Sequence, residues 1–233
     1  QCQRRVTNAH IVSSKCSLKG EASHIATSWN QGRANDVDDK GNTALRWACP
    51  FGYLDLVNTL LANGADPNLK PSSGDPPLLC ATRHLTVVNA LLDGGANLNL
   101  TGICDGTALM RASLYGHLDV FNVLINKGAD VHVVNCRGET ALTLASGCGG
   151  YHSSLIHDEM KLASTSSNAV AIVGAILDRG VEIDHEETGD EGSTALMHAS
   201  VLGYVDIVNA LLDRGAEIDK VDDNGWTALM KAC

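Results

Sequence analysis

Residues 38–70 read DDKGNTALRWACPFGYLDLVNTLLANGADPNLK. Gly41 stands two residues before Thr43, a turn leading into a residue whose side-chain oxygen can cap the helix that follows. Ala44 to Ala48 is a short run of helix formers, and Gly52 breaks it. Leu54, Val57, Leu60 and Leu61 then recur at helical spacing, which predicts a second helix with one apolar stripe. Gly64 ends that helix, and Ala65-Asp66-Pro67-Asn68 is short, extended and turn-rich.

The same grammar returns along the chain. Thr-Ala-Leu begins at Thr43, Thr107, Thr140, Thr194 and Thr227. The interval is 33 residues from Thr107 to Thr140 and again from Thr194 to Thr227, and Pro76-Pro77-Leu78 supplies a degenerate copy between Thr43 and Thr107. Second-helix stripes follow at Leu85, Val88, Leu91 and Leu92; at Leu118, Phe121, Leu124 and Ile125; at Val170, Val173, Ile176 and Leu177; and at Val205, Val208, Leu211 and Leu212. A fixed period of this length marks a repeat architecture in which each unit hides its apolar stripe against its neighbours.

The pattern Asp-x-x-Gly-x-Thr-Ala-Leu, then Gly, then Val-x-x-Leu-Leu-x-x-Gly-Ala resembles the ankyrin repeat, with the best copies at 38–70 and 190–221. The resemblance implies an all-α repeat solenoid with short β-hairpin turns. It divides the chain into an unassigned segment, 1–20, and an array over 21–233. The array comprises a degenerate half repeat at 21–37 (Ala22, Ile25, Ala26, Trp29), five two-helix repeats over 38–221, and a partial last repeat at 222–233. An insertion at about 147–168 interrupts the fourth repeat. The first residue is Gln1, and the last unit stops inside its first helix; both predict a longer native polypeptide, or a partner covering that end.

Composition narrows the functions. The 233 residues carry 17 Lys+Arg against 27 Asp+Glu, a net charge of −10, which disfavours duplex nucleic acid and anionic membranes as partners. Aromatics are 4%, so thin layers of small helices are expected rather than one thick core. No apolar run approaches the roughly 18 residues that span a bilayer, and Gln1 to Lys19 lacks a leader-like apolar stretch. Eight cysteines without a Cys-x-x-Cys pair read as free thiols, and hence as a cytoplasmic or other reducing intracellular compartment.

Chemistry-bearing motifs are missing from the sequence. It has no nucleophile elbow, no phosphate loop and no His-Glu-x-x-His, so catalysis and cofactors are not expected. Cys148, His152, His157, Asp158 and Glu159 in the insertion lack the close-set ligand pairs of a zinc site. The acid-rich turn His185 to Glu191 is expected to face water.

The expected function is protein recognition through a concave groove and hairpin tips, with the acidic rim favouring basic partners. By resemblance, the contact residues are Asp39, Lys40, Asn42, Trp47 and Phe51 in repeat one and Arg111, Leu114 and Tyr115 in repeat three. They continue with Arg137 and Glu139 in repeat four; Glu191, His198 and Leu202 in repeat five; and Trp226 in the last unit. The row Trp47, Arg111, Leu144, His198, Lys231 varies at one register position, as a recognition surface would. Two other roles fit the same repeats: a docking segment of a larger enzyme (a kinase or ubiquitin ligase), or a permanent subunit of a large assembly.

Overall fold

The computed structural model describes residues 34–72, 74–147, 167–189 and 191–233. The half-repeat residues Ala22 to Trp29 and the insertion residues Cys148 to Glu159 lie outside them. The chain divides into two compact units, Gln1–Ile103 and Cys104–Cys233.

In the first unit, α1 (Ala44–Ala48) continues into a 3-10 turn, Cys49–Phe51, and α2 (Leu54–Ala62) packs back on α1. The next pair is α3 (Pro77–Cys80) and α4 (Leu85–Asp93), with α3 against α1 and α4 against α2. The second unit repeats the scheme. Its inner helices are α5 (Ala108–Leu114), α7 (Ala141–Ala145), α9 (Ala195–Val201) and α11 (Ala228–Lys231). Its outer helices are α6 (Leu118–Asn126), α8 (Ser167–Leu177) and α10 (Val205–Asp213). Each inner helix touches the next, α5 to α7 to α9 to α11, and each outer helix does likewise, α6 to α8 to α10. This like-on-like stacking is that of an ankyrin-repeat solenoid.

Local chemistry sets where the inner helices start. Thr43, Thr107, Thr140, Thr194 and Thr227 are extended N-caps, and their hydroxyls accept from the backbone N–H three residues on. The degenerate repeat starts α3 with Pro77 at the first helical position, where no N–H is needed. The hairpins reduce to single β-bridges at Val37–Thr43 and Val221–Thr227. Side chains brace successive repeats: Asn35 donates to Gly64 O and accepts from Asp66 N–H, and Asn68 does the same with Gly95 O and Asn97 N–H.

The stripes are buried at their centres, while Leu61, Leu92, Ile125, Leu177, Val208 and Leu212 are half-buried. The deepest outer-helix residues are Leu56, Val57 and Leu60; Val87, Val88 and Leu91; Val120, Phe121 and Leu124; Ile172, Val173 and Ile176; and Ile207 and Leu211. Leu54, Leu85 and Leu118 are half-buried, and Val205 is exposed. Each of these four is the first residue of its helix.

Two expectations are corrected. Cys104 and Cys136 form a disulfide, with Cα atoms 5.1 Å apart, so the free-thiol premise fails for this pair. A bond closing a 32-residue separation stabilises by about 3–4 kcal/mol through the unfolded chain. Cys49, Cys80 and Cys233 are free, while Cys2, Cys16 and Cys148 lie outside the described residues. The acid-rich turn is not wholly solvated either. Glu187 is buried, His185 Nε2 lies 2.9 Å from Gly138 O, and Glu186 pairs with Lys220 at 2.9 Å. This hairpin carries two extra residues, and they fold Glu187 inward.

Candidate functional site: hairpin tips and an open cleft

Three hairpin tips are each built on one short acceptor side chain. Asp38 Oδ1 accepts from the N–H groups of Lys40 and Asn42 at 2.9 and 2.8 Å, and its Oδ2 accepts from Trp47 Nε1 at 3.1 Å. Burial alone would raise the Asp38 carboxyl, but the bonds from Asn42, Trp47 and Lys40 outweigh it and leave the group below its usual range. Asn135 and Asp222 repeat the arrangement, accepting from Arg137 and Glu139 and from Asn224 and Trp226.

In the first unit this places Asp39 and Lys40 exposed on the tip. Asn42 is buried, donating to Asp38 and accepting from Arg46 Nη1 at 2.7 Å. Trp47 is half-buried with its indole N–H committed to Asp38. Phe51 is half-exposed and stacks on Tyr53 with ring centroids 5.5 Å apart.

In the second unit Arg111, Leu114 and Tyr115 are half-buried on or just after α5, and Tyr115 lies 5.9 Å from the His117 ring. Arg137 is exposed, 3.8 Å from the buried Glu139 carboxylate. Glu139 also accepts from Asn135 Nδ2 at 2.6 Å. Leu202 is half-buried beside Gly147.

Three candidates come together: Glu191, His198 and Trp226 line one open cleft of about 560 Å³. Ser193, Met197, Val201, Asp222, Asn224, Met230, Lys231 and Cys233 complete its walls. Trp226 and Met230 are 52% and 53% exposed, whereas His198 is 2% exposed and forms the floor. His198 Nε2 lies 3.1 Å from Glu187 Oε2. Glu191 is exposed on the rim, where its carboxylate accepts from Asn224 Nδ2.

The cleft also holds a pair that invites a chemical reading. Lys231 Nζ lies 2.7 Å from both Ser193 Oγ and Asp222 Oδ2. The geometry is that of a brace. Lys231 is ion-paired to Asp222 and donates to Ser193, which is 1% exposed. Burial would raise the Asp222 carboxyl, but bonds from Lys231, Trp226 and Asn224 hold it below its usual range. Sequence reasoning missed Asp222 and Met197 as walls of this cleft and Glu187 as the partner of His198. The signal for Asp222 was present in its register match to Asp38; Glu187 had none, because the longer hairpin shifts it out of register.

Among the described residues no helix is long and apolar enough to cross a membrane. The family description "Ankyrin repeats (3 copies)" matches three overlapping spans, 15–102, 45–135 and 78–157, and a separate one, 160–233. Human ankyrin repeat domain-containing protein 63 is 35% identical over 94 residues, covering 37% of this chain and 25% of that protein. Its mouse counterpart is also 35% identical over 94 residues, covering 37% of this chain and 24% of that protein. The match thus spans about a quarter of the length of these relatives. Among solved structures, the ankyrin repeat domain of human ASB11 has a TM-score of 0.71 at 23% identity, covering 92% of this chain and 88% of that one. An ankyrin repeat domain from Acinetobacter baumannii has a TM-score of 0.68 at 30% identity, covering 84% of this chain and 94% of that one. Proteins built from such repeats are generally non-catalytic protein–protein interaction modules. With repeat spans matching most of its length, this chain belongs to the ankyrin-repeat family.

Proposed function

We propose that the chain is a non-catalytic recognition module. Its partner seats in the cleft of the second unit and on the adjoining hairpin tips. One juxtaposition carries the reading: Trp226, on the hairpin tip, is half-exposed beside the exposed carboxylate of Glu191. An exposed Trp is the kind of anchor on which binding energy concentrates. The carboxylate on the rim, with the net charge of −10, favours a partner carrying Lys or Arg next to an apolar residue. The family supports protein recognition in general; the partner's chemistry rests on these residues.

The test is affinity capture with the intact chain, compared with a Glu191→Lys/Trp226→Ala variant. Partners held by the cleft disappear from the variant and return with Glu191→Gln less completely than with wild type. An identical set of captured proteins from wild type and the double variant would rule the cleft out.

A further inference from the structure

In the second unit, the tips of successive hairpins are joined by one backbone bond each. Cys136 N–H donates to Cys104 O at 3.1 Å, Gly189 N–H to Arg137 O at 2.8 Å, and Asp223 N–H to Glu191 O at 2.8 Å. At the Glu191 tip a side-chain hydrogen bond to Asn224 is added. At the Cys104 tip the added link is the disulfide to Cys136. The Cys136 residue is exposed and Cys104 is half-buried, so a small thiol from solvent meets the Cys136 sulfur first.

The backbone beneath this bond is unusual. Cys104 and Asp105 have φ of 55° and 56°, a left-handed conformation that side-chain-bearing residues seldom adopt. Asp105 occupies the register position held by Gly138 and Gly192 in the following repeats. Such a conformation persists only where surrounding restraints hold it, and the covalent link is one of them.

We propose that Cys104 and Cys136 form a reversible thiol–disulfide exchange site. Its co-reactant is a low-molecular-weight disulfide of the glutathione class, and opening the bond releases the repeat-three hairpin tip. In the closing direction, the Cys136 thiolate, its proton lost to water, attacks glutathione disulfide. It forms a mixed disulfide and expels one glutathione thiolate, which takes up a proton. The Cys104 thiolate then attacks the Cys136 sulfur and expels the second glutathione. Two protein thiols are oxidised by two electrons, and one glutathione disulfide is reduced to two thiols. Opening is the same sequence reversed.

The experiment equilibrates the full chain in glutathione buffers from fully reduced to fully oxidised. Acid quenching, alkylation with N-ethylmaleimide and peptide mass spectrometry follow. Cys104 and Cys136 are expected to lose label together at one midpoint, to appear as one linked peptide pair, and to regain label when reduced glutathione is restored. In Cys104→Ser, Cys136 ends as the mixed glutathione disulfide. A matching circular dichroism spectrum shows that this variant is folded. Amide hydrogen exchange at 104–106 and 136–138 is expected to be at least tenfold faster in the reduced protein. The exchange site is overturned if no linked pair forms at any buffer ratio, if Cys136 links to another cysteine, or if the pair does not reopen. Equal exchange rates in the two forms overturn the release of the tip.

Discussion

The imidazole Nε2 of His198 lies 3.1 Å from Oε2 of Glu187, and both side chains are buried. The pair ties α9 to its own hairpin, whose closure also runs through Glu187: its N–H donates to Ser193 O, and its carbonyl accepts from Gly192 N–H. Removing the imidazole takes one hydrogen-bond partner from the buried Glu187 side chain and leaves a void at a 2%-exposed position. His198→Ala is therefore expected to lose about 1–3 kcal/mol of stability. His198→Gln, which keeps a donor, loses less. Urea unfolding measures both, and an alanine variant within about 0.5 kcal/mol of wild type would show that the pair does not hold the hairpin.

Asp38 and Asp222 both titrate below the usual carboxylate range when folded. The unfolded carboxyl, with a pKa of about 3.9, binds protons more tightly. Their stabilisation is thus complete above pH ~4 and is lost as pH falls through the lower folded value. Asp222→Asn keeps the turn acceptor, as Asn135 does in repeat four, but gives up the charge facing Lys231. Thermal midpoints of wild type and this variant should differ at pH 7 and converge as the solution is acidified. A gap unchanged down to pH ~3 would contradict the assignment.

Gly138 has φ of +78°, and a Cβ there would collide with the backbone N of Thr188. Gly64 has φ of +83° and open space around it. Gly64→Ala is expected to lose about 1 kcal/mol from backbone strain alone, and Gly138→Ala at least about 2 kcal/mol. Equal losses in denaturant titrations would mean that the neighbouring hairpin yields freely.

Burial pushes the Cys49 thiol far up, and nearby Cys80 adds to the effect against a smaller opposing pull from Arg46. Cys233 is exposed. Under native conditions iodoacetamide is expected to modify Cys233 at least about 100-fold faster than Cys49, and the difference should vanish in denaturant. Comparable native rates would indicate that the first unit opens readily around α1.

Trp226 is half-exposed, so Trp226→Ala is expected to change stability by no more than about 1 kcal/mol. Its unfolding midpoint decides whether lost binding in the cleft variant reports on recognition or on folding.

The sequence alone determined the repeat, its helix starts and its turns. Each of these is local: a Thr caps the amide three residues on, a Gly takes the left-handed turn, and an apolar stripe follows the helical period. Only the tertiary structure decided which members of one register row are accessible. Leu144 and His198 are buried while Trp47, Arg111 and Lys231, at the equivalent position, are half-buried. The same holds for the Cys104–Cys136 bond across 32 residues and the Lys231–Ser193 brace across 38. These depend on how far one hairpin reaches over the next. Two extra residues near Glu187 change that reach without altering any local signal, because burial and pairing arise between repeats rather than within them.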